Sequence, residues 1–401
     1  MYKFDENISE KDYDKFIENE SMAPFCQEYN WSNMKKEWGS FHCGLYKDDK
    51  LIGVCLILVK KIFGRIKLFY IPKGYLLDFT NYDDLKAMTD NIKKLAKKNH
   101  AYVVKLCPNF CISDDSLKEI ECEHNYSKDY AIKHKNLLKL GYKWTGINKD
   151  IGKNLQPQYN MYAPICDINS NILDIDGVLA TYKSKFKYYL GDFHTKRGIT
   201  FEVTDSLDNI DTFMNLLEIT EKKQNISLRN KEYFIDIMKN YKDEAYFVFG
   251  KIDLNKYISF LKENNSKEED IDEAETLKKE NGDTMFLSTG LLLLPRNKKG
   301  IRSSEYLYAG NSPYLNNLCV SQGLVFEMIK FSMKNGCHYC NLGGVDGSLN
   351  DHLSIFKRKF NARLMIFAGE YNLPTSILYY PINLFYPLLV KLYKLTHKKK
   401  H

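Results

Sequence analysis

LIGVCLILV (51–59) and YVVKL (102–106), with YDDLKAMTDNIKKLAKK (82–98) between them, decide the fold. The outer two are apolar, β-branched runs of strand length. The middle stretch places Leu85, Met88, Ile92 and Leu95 at helical spacing. Strand, helix, strand makes a mixed α/β unit, and the order returns after Pro157. There the pattern predicts a basic helix near 177–192, a strand at 200–203, helices near 206–222 and 230–241, and strands at 245–250, 290–294 and 305–309. A helix over 321–334 and a strand at 338–342 complete the set. Two α/β halves of similar size follow, which suits 401 residues at about 100–200 per domain.

Between the strands at 245–250 and 286–294 lies LNKYISFLKENNSKEEDIDEAETLKKENGD (254–283). Leu254, Ile258 and Leu261 share one helical face, Ile271, Ala274 and Leu277 the next, and Asn264, Asn265 and Ser266 interrupt them. This predicts a short antiparallel helical hairpin projecting from the second half. Residues 262–283 hold nine acids against four lysines, a surface that repels a phosphate backbone.

A composition that is 44% hydrophobic and 14% aromatic fills real cores, so a disordered tail, a collagen-like repeat and a disulfide-stapled miniprotein are excluded. MYKFDENISE has no basic region followed by an apolar run, so no secretory signal is expected and the chain is expected in the cytoplasm. Ten scattered cysteines then read as reduced thiols. The close pair, Cys337 and Cys340, falls in GCHYCNLGG, read as a strand whose side chains three apart face opposite ways; no metal site is expected. The net charge of +7 is local, because residues 371–401 hold five lysines (391, 394, 398, 399 and 400) and no acid. With 7 arginines beside 51 lysines, each arginine is the more informative cation.

Arg229, in ISLRNKEYF, stands at a helix start with Tyr233 four residues on, so a guanidinium and a phenol can address one ligand. An exposed arginine over a packed tyrosine gives the same spacing. In TYKSKFKYYLGDFHTKR (181–197), Lys183, Lys185, Lys187, Lys196 and Arg197 interleave with Tyr182, Phe186, Tyr188, Tyr189 and Phe193, a pattern that suits single-stranded nucleic-acid ends. An amphipathic helix with a solvated lysine face reads identically. FKRKF (356–360) sets Phe356 beside Lys357, where an aromatic could order the ammonium; a half-buried strand with a basic face has that spacing too.

WSNMKKEW (31–38), ISLRNKEYF (226–234), YLYAG (306–310), YCNLGG (339–344), IFKRKF (355–360) and AGEYN (368–372) occur in this order along nearly the whole chain. Together they resemble the FemABX aminoacyltransferases, which build the interpeptide bridge of peptidoglycan. KIDLNKYISFLKENN followed by ETLKKENGDTMFLSTGLLLL resembles the start and end of the coiled-coil arm of the FemA/FemB branch, shortened in the middle. The resemblance implies an α/β (α+β) chain of two GNAT-like acyltransferase subdomains with a short inserted antiparallel helical hairpin. The boundaries are 1–155 for the first, with 373–401 packing on it, 156–252 and 286–372 for the second, and 253–285 for the hairpin. It further implies transfer of an amino acid, glycine first among glycine, alanine and serine, from aminoacyl-tRNA to the stem-peptide amine of lipid II or to a bridge already begun.

Carried over by position, Lys35 and Arg229 match residues that hold the diphosphate of lipid II or UDP-MurNAc-pentapeptide. Tyr233 and Tyr308 match tyrosines lining that site, and Lys357, preceded by Phe356, matches the lysine proposed to stabilise the transition state. The basic Lys183, Lys185 and Lys187 are read as tRNA contacts. An aminoacyl ester is already activated, so no cofactor or metal is implied, and a nearby cation stabilises the oxyanion. Two departures stand out: Cys107-Pro108 where some relatives have Asp-Pro, and Gly74-Tyr75 where relatives often have Gly-Pro ahead of an acid, here Asp78. The first leaves the aspartate-as-base scheme without its residue. The Gln/Arg-x-x-Gly-x-Gly/Ala turn of acetyl-CoA enzymes is absent, and Arg296-Asn-Lys-Lys-Gly300 has the wrong spacing. An acyl-CoA-dependent N-acyltransferase and an inactive tRNA-binding or cell-wall scaffold protein are the competing readings.

The uncharged stretch from Tyr371 to Val390 is broken by Pro374, Pro381 and Pro387, so it is not read as membrane-spanning. It either packs on the first half or sits at lipid headgroups while the lysines contact an anionic membrane surface at the inner face of the cell membrane. The expected assembly is a monomer or weak dimer.

Overall fold

The computed structural model describes residues 1–114, 129–224 and 228–385. The lysines at 391, 394 and 398–400, the stretch from Tyr386 to Val390, and Ile226 and Ser227 of the arginine motif lie outside the described residues.

The strands are β1 (Tyr2–Asp5), β2 (Gly39–Lys47), β3 (Lys50–Phe63), β4 (Ile66–Pro72), β5 (Ala101–Cys107), β6 (Cys111–Asp114), β7 (Lys143–Trp144), β8 (Tyr159–Pro164), β9 (Ile199–Thr204), β10 (Ala245–Asp253), β11 (Thr284–Leu293), β12 (Ser303–Asn311), β13 (Tyr339–Gly344), β14 (Arg363–Phe367) and β15 (Tyr371–Pro374). They form two sheets, ordered β1-β2-β3-β4-β5-β15-β7 and β6-β14-β8-β13-β12-β11-β10-β9. The chain is built twice on one plan. Four strands run as an antiparallel meander, then a helix crosses over and returns the chain to a parallel neighbour. The crossover helices are Tyr82–Lys98 in the first half and Val320–Lys334 in the second. The parallel pairs are β4·β5, from Lys67↔Ala101 to Pro72↔Cys107, and β12·β13, from Ser303↔Tyr339 to Glu305↔Asn341. Every other strand pair is antiparallel.

Each half lends a strand to the other. β6, from the first 155 residues, closes the edge of the second sheet on β14, and β15, from the end of the second half, inserts between β5 and β7. One core cluster likewise crosses the boundary, with Tyr13, Ile17, Leu56 and Leu58 packed in the same group as Phe213, Phe234, Phe247 and Leu291. The hairpin consists of helices Leu254–Glu263 and Glu268–Asn281. Tyr257, Ile258 and Leu261 of the first face Ala274 and Leu277 of the second, in a cluster shared with Phe193 and Leu287.

Three local expectations are corrected. The basic helix near 177–192 is three short helices, Ile175–Ala180, Ser184–Leu190 and Asp192–Lys196, because Tyr182, Phe186 and Phe193 each turn into the core and Gly191 separates the last two. FKRKF is not a strand: the helix His352–Arg358 is nucleated by Asp351, whose carboxylate accepts the amides of Leu353 (2.9 Å) and Ser354 (3.0 Å). Cys337 and Cys340 do not face apart, because Cys337 precedes β13, and both thiols are fully buried in one apolar cluster.

Candidate active site

The segment Tyr29–Lys35 of the first half docks on the helix Lys231–Tyr241 of the second. The Asn30 amide donates to Asn240 O (2.9 Å), Asn33 donates to Asn240 Oδ1 (3.0 Å), and Lys36 pairs with Asp236 (2.5 Å). The docking brings Lys35 and Arg229 into one electrostatic neighbourhood. Lys35, 4.9 Å from the Trp31 ring centroid, has its proton affinity lowered first by burial and then by the Arg229 charge. Arg229 lies over Tyr233 (5.3 Å), and Tyr233 meets Tyr308 edge-on (6.2 Å). Burial raises the Tyr233 phenol far above its ordinary range, so it stays a neutral hydrogen-bond donor. Four of the residues singled out in the sequence therefore share one place. Two like charges held beside two tyrosines favour a dianionic group between them. Gly310 of YLYAG lets the helix Ile210–Gln224 lie directly on β12: a Cβ there would lie 2.5 Å from the Leu216 backbone.

Lys357 stands elsewhere, where β12 and β13 part. β12 continues to Asn311 but pairs with β13 only as far as Glu305, and a bulge opposite Leu291 and Leu292 turns it aside. Lys357 is 4% exposed and its Nζ donates to Gly344 O at 2.9 Å. Burial lowers its pKa to about 7, against a smaller opposing effect of Asp351. Gly343, at φ +83°, leaves room beside that ammonium. Phe356 is half-buried and packs on Phe360 (5.6 Å), toward the core.

A cleft of about 530 Å³ opens along the first sheet, walled by Trp38, Tyr70, Lys105, Cys107, Gln156 and Glu370 among others. Lys105 and Glu370, neighbours on its wall, pair at 2.5 Å. Cys107 is buried and its thiol is pushed up to about 12, chiefly by desolvation and then by Glu370, so it is no base at neutral pH. A second pocket of about 240 Å³ lies against β12 and β13, lined by Tyr306, Glu305, Asn341, Gly343 and Gly344. Lys73, Gln156 and Pro157 line both. Lys73, Glu305 and Glu370 were not singled out in the sequence. Glu370 lies inside AGEYN and Glu305 directly before YLYAG, so their only signal was position beside a motif. Gly74-Tyr75, joined by a cis peptide bond, directly follows Lys73, with Tyr75 buried, and Asp78 accepts the Thr80 amide (2.8 Å) and hydroxyl (2.7 Å).

Lys183 and Lys185 are exposed and Lys187 is half-exposed. Tyr182, Phe186 and Phe193 of the same stretch are buried, which leaves Tyr188, 61% exposed, as its most accessible ring. Arg197 is sandwiched between Phe193 (3.7 Å) and Phe260 of the hairpin (4.2 Å), and Lys196 pairs with Asp192 (3.8 Å).

Two meander-and-crossover units with opposed parallel strand pairs define a tandem GNAT-like fold. It is shared with a tandem GNAT protein of the clavulanic acid biosynthesis pathway (TM-score 0.50, 6% identity, 94% of this chain and 99% of that one). The crystal structure of FemX matches more closely, with a TM-score of 0.77 at 22% identity over 95% of this chain and 99% of that one. The FemAB family profile matches residues 8–283 and 262–386, and the chain belongs to the FemAB family. Its relatives include the lipid II:glycine glycyltransferases of Staphylococcus saprophyticus and Staphylococcus aureus. Each is 24% identical; the first covers 91% of this chain and 92% of its own length, the second 91% of both.

Proposed function

We propose that the chain transfers glycine from glycyl-tRNA to the stem-peptide amine of lipid II, or to a bridge already begun, in peptidoglycan synthesis. The observation that carries this reading is the Lys35–Arg229 pair, built from both halves beside Tyr233 and Tyr308, and it is supported by the similarity to lipid II:glycine glycyltransferases. A lipid-linked precursor presents a diphosphate of the right charge for that pair.

Lys357 suits the chemical step. A desolvated ammonium whose hydrogen-bond partner is a backbone carbonyl gains most when negative charge develops beside it, so it favours the tetrahedral oxyanion over the neutral ester. The ester supplies its own activation, so the donor needs no coenzyme. The exposed lysines at 183 and 185 add positive surface for the tRNA backbone, which the acidic hairpin lacks.

We further propose docking at a membrane face. Ile377 (83% exposed), Leu378, Tyr380, Leu384, Phe385 and Phe63 (80% exposed) are large apolar side chains open to solvent, and their chain neighbours Ile62 and Asn383 both line the large cleft. No helix among the described residues is long and apolar enough to cross a membrane, so contact would be peripheral. In vesicle sedimentation the protein should bind anionic liposomes at low salt and release at high salt; failure to bind at low salt removes this part of the reading.

Incubation with labelled glycyl-tRNA and lipid II tests the main proposal, with the mass added to lipid II as the readout. Transfer from alanyl- or seryl-tRNA but not glycyl-tRNA would change the amino acid. Transfer from an acyl-CoA alone, or none at all, would overturn it.

A further inference from the structure

Glu305 is the last residue of β12 to pair with β13, and it points into the 240 Å³ pocket at the point where the strands part. Its Oε2 accepts the Asn341 side-chain amide at 2.8 Å, and Asn341 is itself fixed by accepting the Gly343 amide at 2.9 Å. The groups facing this carboxylate are the Lys73 ammonium from the loop after β4, the Cys26 thiol from the turn at Phe25–Gln27, and Cys340 and Asn341 from β13. Lys73 also lines the large cleft, with its Nζ 2.9 Å from the Phe367 ring centroid. A positioned carboxylate thus stands in the smaller pocket, facing the Lys73 that lines both cavities, and near the glycines that flank the Lys357 ammonium.

We propose that Glu305 is the general base of the transfer, an assignment that rests on the aminoacyl-transfer reading above. The neutral acceptor amine attacks the ester carbonyl; as the C–N bond forms, one N–H proton passes to the Glu305 carboxylate. The oxyanion is held by Lys357. As the C–O bond to tRNA breaks, Glu305 returns that proton to the 3′-oxygen, so the carboxylate is regenerated and the products are an amide and a free hydroxyl. Cys107, the residue at the position of the missing aspartate, keeps its proton, and Glu370 is engaged by Lys105.

Burial raises the Glu305 pKa to about 8, with Lys73 and then Asn341 opposing. A base must be deprotonated while the Lys357 ammonium, with a pKa of about 7, must keep its proton, so turnover should pass through a maximum between about pH 7 and 8, with its rising limb dependent on Glu305. In the glycyl-tRNA and lipid II assay, Glu305→Gln should lower kcat by about 100–10,000-fold, leave KM for lipid II within about twofold, and abolish the rising limb. Lys73→Met removes a charge that favours the carboxylate, so its rising limb should move to higher pH. Turnover by wild type with near-normal kcat in Glu305→Gln, or loss in Glu370→Gln instead, overturns this assignment and leaves the parent reading intact; no wild-type turnover removes both. Should Glu305→Gln fail to fold by circular dichroism, an unmoved limb in Lys73→Met overturns it.

Discussion

Lys357 is held almost out of water with its Nζ donating to Gly344 O, so its ammonium is poorly solvated. Its folded pKa, about 7, lies below the ordinary lysine value. Between these values the unfolded chain binds more protons, so this group makes stability rise with pH from about 7 toward 10.5. Lys357→Met should therefore raise Tm at pH 7 and flatten that rise, while kcat falls about 100–1,000-fold, the usual loss for one preorganised oxyanion partner. Opposite signs for stability and activity would mark a residue kept for chemistry; a fall in Tm with normal turnover would refute the role. Lys35→Ala and Arg229→Ala should act differently, raising KM for lipid II with near-normal kcat, because each contacts a part of the substrate that does not react. Steady-state kinetics on the three variants separates the two roles.

At the scale of elements, the hairpin and the helices at 175–196 carry opposite charge on adjoining surfaces. They meet at Arg197, whose guanidinium is stacked between Phe193 and Phe260 and is spent on joining them. The hairpin has its own small core and a Lys262–Glu275 pair at 2.8 Å. Replacing Lys183, Lys185 and Lys187 by Ala should lower tRNA affinity and reduce the salt slope by about 2 to 3, at roughly 0.7–0.9 per phosphate contact. Neutralising Glu268, Glu269 and Asp270 should leave affinity within about twofold. Filter binding over a salt series checks both, and the reverse ranking would move the tRNA onto the hairpin.

For the whole molecule, the two halves are locked by a partly buried charge cluster. Arg296 donates to Glu244 (3.0 and 3.1 Å) and to Asp14 of the first half (3.1 Å), with Glu28 of the first half 3.9 Å away. Three carboxylates share one guanidinium, and among them Glu28 Oε2 and Asp14 Oδ1 are buried without a hydrogen-bond partner. Burial raises the Glu28 pKa to about 8, so the folded state holds a proton that the unfolded chain releases near 4.5. Stability should consequently fall as pH rises from about 4.5 to 8. Glu28→Gln should flatten that fall in denaturant titrations, and an unchanged slope would show that Arg296 already neutralises Glu28. Arg296→Ala, which strands the carboxylates, should cost about 3–5 kcal/mol.

Local pattern was enough to read the repeating strand and helix order and the hairpin, because period and residue type are local properties, whereas Lys35 and Tyr308, and the roles of Arg229 and Lys357, came from the resemblance of their motifs to the FemABX family. The positions of short helices in 175–196 were not legible, since buried aromatics and solvated lysines alternate there and only the packing of Phe186 and Phe193 decides which face turns inward. Nor was the helical state of FKRKF, which depends on the Asp351 cap outside that motif. Tertiary structure alone decided that β6 and β15 change sheets, that Lys35 meets Arg229, and that Glu305 faces the Lys73 that lines both cavities. These juxtapositions join residues far apart in the chain. They arise from the docking of two sheets, which no periodicity within either half encodes.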